Sequence, residues 1–161
     1  MLKYLWLSLL VIVLDQLTKY MASTLLVYYK PQAVIPMFNL TLMHNTGAAF
    51  SFLDDADGWQ RWFFTIIALA VSVFLVLWLK RLTVQERLQA IALSLILGGA
   101  IGNVIDRIWL GYVIDFLDVY YGQWHFPAFN IADSAISIGA VLIIYDSFFG
   151  AAAKASQLKA D

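Results

Sequence analysis

Hydrophobic positions along the chain fall into four long runs separated by polar clusters: Leu5 to about Val27, Trp62 to Leu79, Leu88 to Ile105, and Ile131 to Phe149. Each is near the ~20 residues that carry an α-helix across a ~30 Å hydrocarbon layer, so four spanning helices is the economical count. A buried core helix has the same periodicity. A soluble domain of this size, however, needs polar outer faces, and Phe63 to Leu79 has almost none. Between the first two runs, Phe38, Leu40 and Leu42 alternate with Asn39, Thr41 and Met43, which predicts a short strand before the turn-like Asn45-Thr46-Gly47. From Ala48 to Trp62 the chain reads as an amphipathic piece suited to the headgroup layer, with Trp59 and Trp62 bracketing Gln60 and Arg61. Val113, Phe116, Trp124 and Phe126 supply further extended structure before the last run.

Composition strengthens the membrane reading. Of 161 residues, 62% are hydrophobic and 13% charged, against roughly 45–50% and about 25% in soluble proteins. Ten Lys and Arg against eleven Asp and Glu give a net charge of -1, so there is no overall positive field to hold nucleic acid. Without cysteine there is no disulfide, thiol nucleophile or zinc-thiolate site. Residues 1–161 read as a single integral membrane domain with a cytoplasmic tail at 151–161. The amino terminus imitates a secretory signal, but Asp15, Gln16 and Lys19 interrupt it and the run is long enough to span, so it reads as a retained helix. Lys3, Lys80, Arg81, Arg87, Lys154 and Lys159 flank one side, and Lys30, Arg61 and Arg107 the other. Six against three puts both termini in the cytoplasm.

Ionisable groups at membrane depth are costly and usually have a purpose. Asp15 and Lys19 are spaced i,i+4 in the first span and read foremost as a structural ion pair inside the bundle, with a direct catalytic role as the alternative. Asn103, Asp106 and Arg107 share about one face at the outer end of the third span. Either they are a helix-end ion pair meeting water, or Asn103 and Arg107 are fixed donors that hold a backbone carbonyl or orient a carboxylate. Gly98, Gly99 and Gly102 beside them permit close helix approach. Asn130 and Asp133 open the fourth span, where either can cap the first turn.

Capping does not explain Asp115 and Asp118, embedded in Val113-Ile114-Asp115-Phe116-Leu117-Asp118 at the same boundary. Flanked by Ile114 and Phe116, Asp115 is expected to have its pKa raised by desolvation. If Asp115 and Asp133 face one another there, the two carboxylates cannot both ionise easily and so share a proton. One then serves as base and the other as acid, which activates a water against a peptide carbonyl without metal, cofactor or covalent intermediate. Other chemistries have less support. His44 and His125 are isolated, with no paired-ligand spacing. There is no G-x-S-x-G elbow, and Ser134 has no partner placed by spacing.

Five blocks in order complete the pattern: Asp15-Gln16-Leu17-Thr18-Lys19, Asn45-Thr46-Gly47-Ala48-Ala49-Phe50-Ser51, Gly98 to Arg107, Gly111 to Phe116, and Phe129-Asn130-Ile131-Ala132-Asp133-Ser134. In this order they resemble the lipoprotein signal peptidases, the type II signal peptidases of bacteria. The resemblance implies an all-α membrane protein of four transmembrane helices with a small periplasmic β-cradle and a surface-lying periplasmic helix. It implies an aspartic endopeptidase of the bacterial inner membrane, multi-pass, working near the periplasmic face. Such an enzyme removes signal peptides from prolipoproteins by cutting on the amino side of a diacylglyceryl-modified cysteine. Asp115 and Asp133 match the family's catalytic dyad, while Asn45, Gly47, Asn103, Asp106, Arg107, Asn130 and Ala132 match its substrate-binding or dyad-supporting positions, beside Asp15 and Lys19. Implied partners are prolipoprotein substrates, membrane lipids and cyclic peptide antibiotics such as globomycin, with the chain itself a monomer.

Two rival classes make different demands. A small proton-coupled transporter predicts acids near the midplane and often internal repeats, whereas here most acids cluster at one boundary and no repeat is visible. A non-catalytic scaffold predicts that Asp133 only caps a helix and that Asp115 is solvated.

Overall fold

A computed structural model describes residues 1–47 and 58–150. Among these, four helical segments are long and apolar enough to cross a membrane, built on α1 (Leu5–Leu25), α2 (Trp59–Arg81), α3 (Arg87–Trp109) and α4 (Ile131–Tyr145), the last only together with the turn that carries it to Phe149. A single 3-10 turn, Leu2–Tyr4, leads into α1, and α4 runs on into a π-helical turn, Asp146–Gly150, where the Gln89 amide donates to Asp146 at 2.7 Å. The fourth run, expected as one helix to residue 149, therefore changes its winding after Tyr145.

α3 is the hub. In its most apolar stretch 61% of residues are buried, against 17–28% in the other three helices, which leave their apolar outer faces to lipid. Small residues let its neighbours come close. A Cβ on Gly139 of α4 would sit 2.7 Å from the Ala92 carbonyl, and one on Gly102 of α3 would sit 2.7 Å from an Asp15 oxygen on α1. At one end of the bundle Leu75 and Leu79 of α2 pack on Ala90, Leu93 and Leu97 of α3, with Met1, Tyr4 and Leu5 against them. Lys3, Lys80, Arg81 and Arg87 gather at that end, as expected, while Lys154 and Lys159 lie outside the described residues.

The opposite end carries a four-stranded antiparallel sheet in the order β1 (Gln32–Ile35), β2 (Phe38–Asn45), β3 (Val113–Tyr121), β4 (Trp124–His125). Its inner face joins Leu42, Ile114 and Phe116 to Ala22 of α1. The strand expected from residue 38 is present, but its alternation is broken. Leu40 pairs with Leu117 and Met43 with Asp115, so Thr41 and Leu42 together stand against Phe116 alone, which is a β-bulge. Asn39 and Thr41 of this strand are buried, and both serve Asp118.

Contrary to expectation, Trp59 to Trp62 do not form a separate amphipathic piece. They are the first turn of α2, where Thr65 returns its hydroxyl to the Arg61 carbonyl and Arg61 reaches the Ile108 carbonyl of α3. The rest of that piece and the surface-lying helix fall on residues 48–57, and the tail on 151–161, all outside the described residues. α3 likewise continues beyond Ile105, since Asp106 finds buried partners instead of meeting water.

Candidate active site

The ion pair of the first span is real and larger than its spacing predicts. Lys19 Nζ lies 2.8 Å from Asp15 Oδ2, 2.9 Å from Asp106 Oδ2 and 2.9 Å from Asn103 Oδ1. An ammonium has three protons, and all three are used. Each acid then fastens another element. Asp15 Oδ1 accepts from the Ala132 amide at 2.9 Å, one of the orphan donors opening α4. Asp106 Oδ2 accepts from the Ile114 amide at 3.1 Å, at the start of β3. Gln16, embedded in the first motif but given no role by sequence reasoning, donates to Asp106 Oδ1 at 2.8 Å and the Gly102 carbonyl at 3.2 Å. A second polar side chain inside an apolar run, next to Asp15, is the signal that could have found it. A buried ion cluster is stable only when every lone pair and proton has a partner, and this one meets that condition closely.

Above this knot sit Asp115 on β3 and Asp133 in the first turn of α4, both lining one cavity of about 650 Å³. Three asparagines aim at them. Asn130 Nδ2 donates to Asp115 Oδ1 at 2.7 Å, Asn45 Nδ2 to Asp115 Oδ2 at 3.1 Å, and Asn103 Nδ2 to Asp133 Oδ1 at 2.8 Å. A side-chain amide has two ends, and here each oxygen end is held by a donor that cannot reverse. Asn130 Oδ1 accepts from the Asp133 amide, Asn45 Oδ1 from the Gly47 amide, and Asn103 Oδ1 from Lys19. The NH2 ends are thereby fixed on the carboxylates. Asn130 and Asp133 also complete a capping box, with the Asn130 amide donating to Asp133 Oδ2 at 3.2 Å. The residues that cap α4 are thus also the ones in the carboxylate network: Asn130 donates to Asp115, and Asp133 receives Asn103.

Arg107 lines the cavity too. Its Nη2 donates to the Gly47 carbonyl at 3.2 Å, and its guanidinium lies 5.5 Å from the centre of the Phe64 ring. Of the two readings of Asn103, Asp106 and Arg107, the fixed-donor reading describes the geometry: Arg107 holds a carbonyl, Asn103 a carboxylate, and Asp106 pairs with Lys19. The apolar wall comprises Met43, Val113, Phe126, Phe129, Ile136 and Ile138. Burial, and after it the neighbouring Asp133 charge, raise the Asp115 pKa to about 7, against which the amides of Asn45 and Asn130 work. Asp115 is therefore neither an ordinary ionised carboxylate nor a solvated one.

Asp118 is on the other face of β3. Burial alone would raise its pKa, but hydrogen bonds from His125, Thr41 and Asn39 together hold it below the ordinary carboxylate range. Neither histidine is solitary. His125 pairs with Asp118, and His44 stacks on Tyr112 with ring centres 4.0 Å apart, where burial lowers its pKa.

The chain has close relatives. The family described as "Signal peptidase (SPase) II" matches residues 7–149. A lipoprotein signal peptidase of Acinetobacter baumannii is 59% identical over 146 residues, covering 91% of this chain and 83% of that protein. One from Pseudomonas fluorescens is 57% identical over 149 residues, covering 91% and 88%. Among solved structures, a bacterial membrane enzyme superposes with a TM-score of 0.83 at 34% identity, covering 94% of this chain and 91% of that one. With four spanning helices, a small antiparallel sheet and a family match over nearly its whole length, this chain belongs to the signal peptidase II family.

Proposed function

We propose that the protein is an aspartic endopeptidase that removes signal peptides from prolipoproteins, cutting on the amino side of a diacylglyceryl-modified cysteine. The observation that carries this reading is that Asp115 and Asp133 line one cavity, each held by an asparagine amide of fixed orientation. In the resting site the two acids hold one proton between them. The ionised carboxylate takes a proton from a water as its oxygen attacks the scissile carbonyl. The protonated one supplies the developing oxyanion with a hydrogen bond and then delivers a proton to the leaving amine. Neither acid forms a bond to substrate carbon. Arg107 and Asn45 lie at the cavity where substrate backbone carbonyls would pass, and their N–H groups suit that task.

The substrate's acyl chains confine it to the bilayer, and the cavity's Phe126, Phe129, Ile136 and Ile138 supply an apolar approach from that side. The positive-inside distribution supports an inner-membrane protein with both termini cytoplasmic and the cavity near the periplasmic face. The chain acts as a monomer, and cyclic peptides such as globomycin inhibit it by filling the same cavity. Purified protein incubated with a lipid-modified precursor and its unmodified counterpart, with chelator present, tests the proposal. Cutting of only the modified precursor, indifferent to chelator, is expected. Equal cutting of both, or none, refutes the substrate assignment.

A further inference from the structure

The face of β3 turned away from the cavity carries a second buried carboxylate with no part in the chemistry above. Asp118 is 1% exposed. Its Oδ2 accepts from Thr41 Oγ1 at 2.9 Å and Asn39 Nδ2 at 3.2 Å, both on β2, and its Oδ1 accepts from His125 Nδ1 at 2.7 Å, on β4. The imidazole is stacked on Tyr120, with ring centres 5.2 Å apart, and its side chain is 46% exposed. The β3–β4 hairpin has only two residue pairs, Tyr120 with His125 and Tyr121 with Trp124, around a turn in which Gly122 has φ of 63°. So short a hairpin has little backbone pairing of its own, and the charged hydrogen bond to a buried acceptor is its principal side-chain anchor.

The segment after His125 gives this anchor its consequence. Residues 126–129 run back along β3: the Phe126 amide donates to the Val119 carbonyl at 2.8 Å, and Phe129 exchanges amide and carbonyl with Leu117 at 3.1 and 2.9 Å. All four residues of this strap line the cavity, and the next residue is Asn130, whose amide holds Asp115. The strap is therefore one wall of the cleft, fastened at one end by the α4 capping box and at the other by His125.

We infer that Asp118 and His125 are positioning residues for substrate, setting the strap that grips the apolar part of the precursor from the far side of the sheet. They touch neither the dyad nor the substrate. The inference rests on the proposed function and makes a separable demand: the clamp governs binding, while the dyad, held also by Asn45 and Asn103, continues to turn over what binds.

The test uses full-length protein in lipid or detergent and the lipid-modified precursor. His125→Ala is expected to raise KM about 10-fold while kcat stays within roughly twofold, the split for an interaction that contributes to binding alone. His125→Asn, whose side-chain amide places an N–H near the position of imidazole Nδ1, is expected to return KM to within about twofold of wild type. Asp118→Ala, which removes the acceptor altogether, is expected to behave as His125→Ala; should it fail to fold, the half-exposed His125 variants decide the matter alone. An unchanged KM in His125→Ala, a loss confined to kcat, or a His125→Asn variant no better than alanine each overturns the inference. Wild-type protein that does not cut the precursor counts against the proposed function instead.

Discussion

Lys19 Nζ lies 2.9 Å from Asn103 Oδ1, and Asn103 Nδ2 lies 2.8 Å from Asp133 Oδ1, so one ammonium in the first helix sets the hydrogen bond received by an acid in the fourth. Without Lys19, Asn103 Oδ1 keeps only the 3.2 Å hydrogen bond from Asn130 Nδ2, so its hold on Asp133 is weakened, and Asp15 and Asp106 are left buried together. Lys19→Met is expected to lower stability by roughly 3–5 kcal/mol, the cost of breaking a buried ion pair from one side. Activity should fall on the order of 10–100-fold, as when an orienting partner is lost. Thermal unfolding in detergent and precursor cleavage rates measure the two; an unchanged unfolding midpoint would remove the ion cluster from the account of the fold.

Replacing either acid by its amide separates mechanism from architecture. An asparagine at 133 can still accept from the Asn130 backbone amide, so α4 starts as before, but it cannot carry the proton that the proposed mechanism requires. Asp115→Asn and Asp133→Asn are each expected to reduce cleavage by at least about 10²–10⁴-fold, the scale of general acid–base catalysis. Circular dichroism and membrane insertion should match the wild type. Cleavage retained in both variants would end the dyad assignment.

The raised pKa of Asp115 has a signed consequence for stability. The folded state keeps the proton up to about pH 7, whereas the unfolded chain releases it near the ordinary 3.8. Between these values the folded state binds more protons than the unfolded one, so the contribution of Asp115 is complete below pH ~4 and is lost as pH rises through 7. Unfolding free energy should accordingly decline over that window, and Asp115→Asn should flatten the decline. A carboxyl 13C titration of Asp115 with its midpoint near the ordinary carboxylate value would contradict this.

Gly102 leaves no room for a side chain at the base of the site. A Cβ there would come within 2.7 Å of Asp15 Oδ2, the oxygen that holds Lys19. Gly102→Ala is expected to destabilise by about 1–3 kcal/mol, the usual range for an overpacked core, and to slow cleavage. A variant as stable and active as wild type would mean that α1 and α3 separate freely.

Much of this is legible from residue pattern, for reasons that differ by element. Four apolar runs announce four helices because lipid admits no other backbone arrangement of that length, and the Asp15–Lys19 pairing follows from helical spacing. The site positions are legible only through five ordered blocks, since nothing local in Ile114-Asp115-Phe116 says that Asp133 shares its cavity. The remainder depends on contacts between distant segments. The role of Gln16 needs α3 beside it, and the inward turn of Asn39 and Thr41 needs Asp118 across the sheet. Trp59 to Trp62 mislead because aromatic residues at a bilayer boundary look alike whether they lie on the surface or begin a span.

The bulge in β2 imposes a rule of arithmetic. Asn39 and Asn45 are an even number of residues apart, whereas the acids they serve, Asp118 and Asp115, are separated by an odd number, and in two regular strands both amides could not reach their targets. The extra residue at Thr41 and Leu42 reconciles the two counts. Adding or removing one residue between 39 and 45 would therefore send one of the two asparagines to the wrong side, while changing the identity of Leu42 to another apolar residue would not. In this segment length is under tighter physical control than composition.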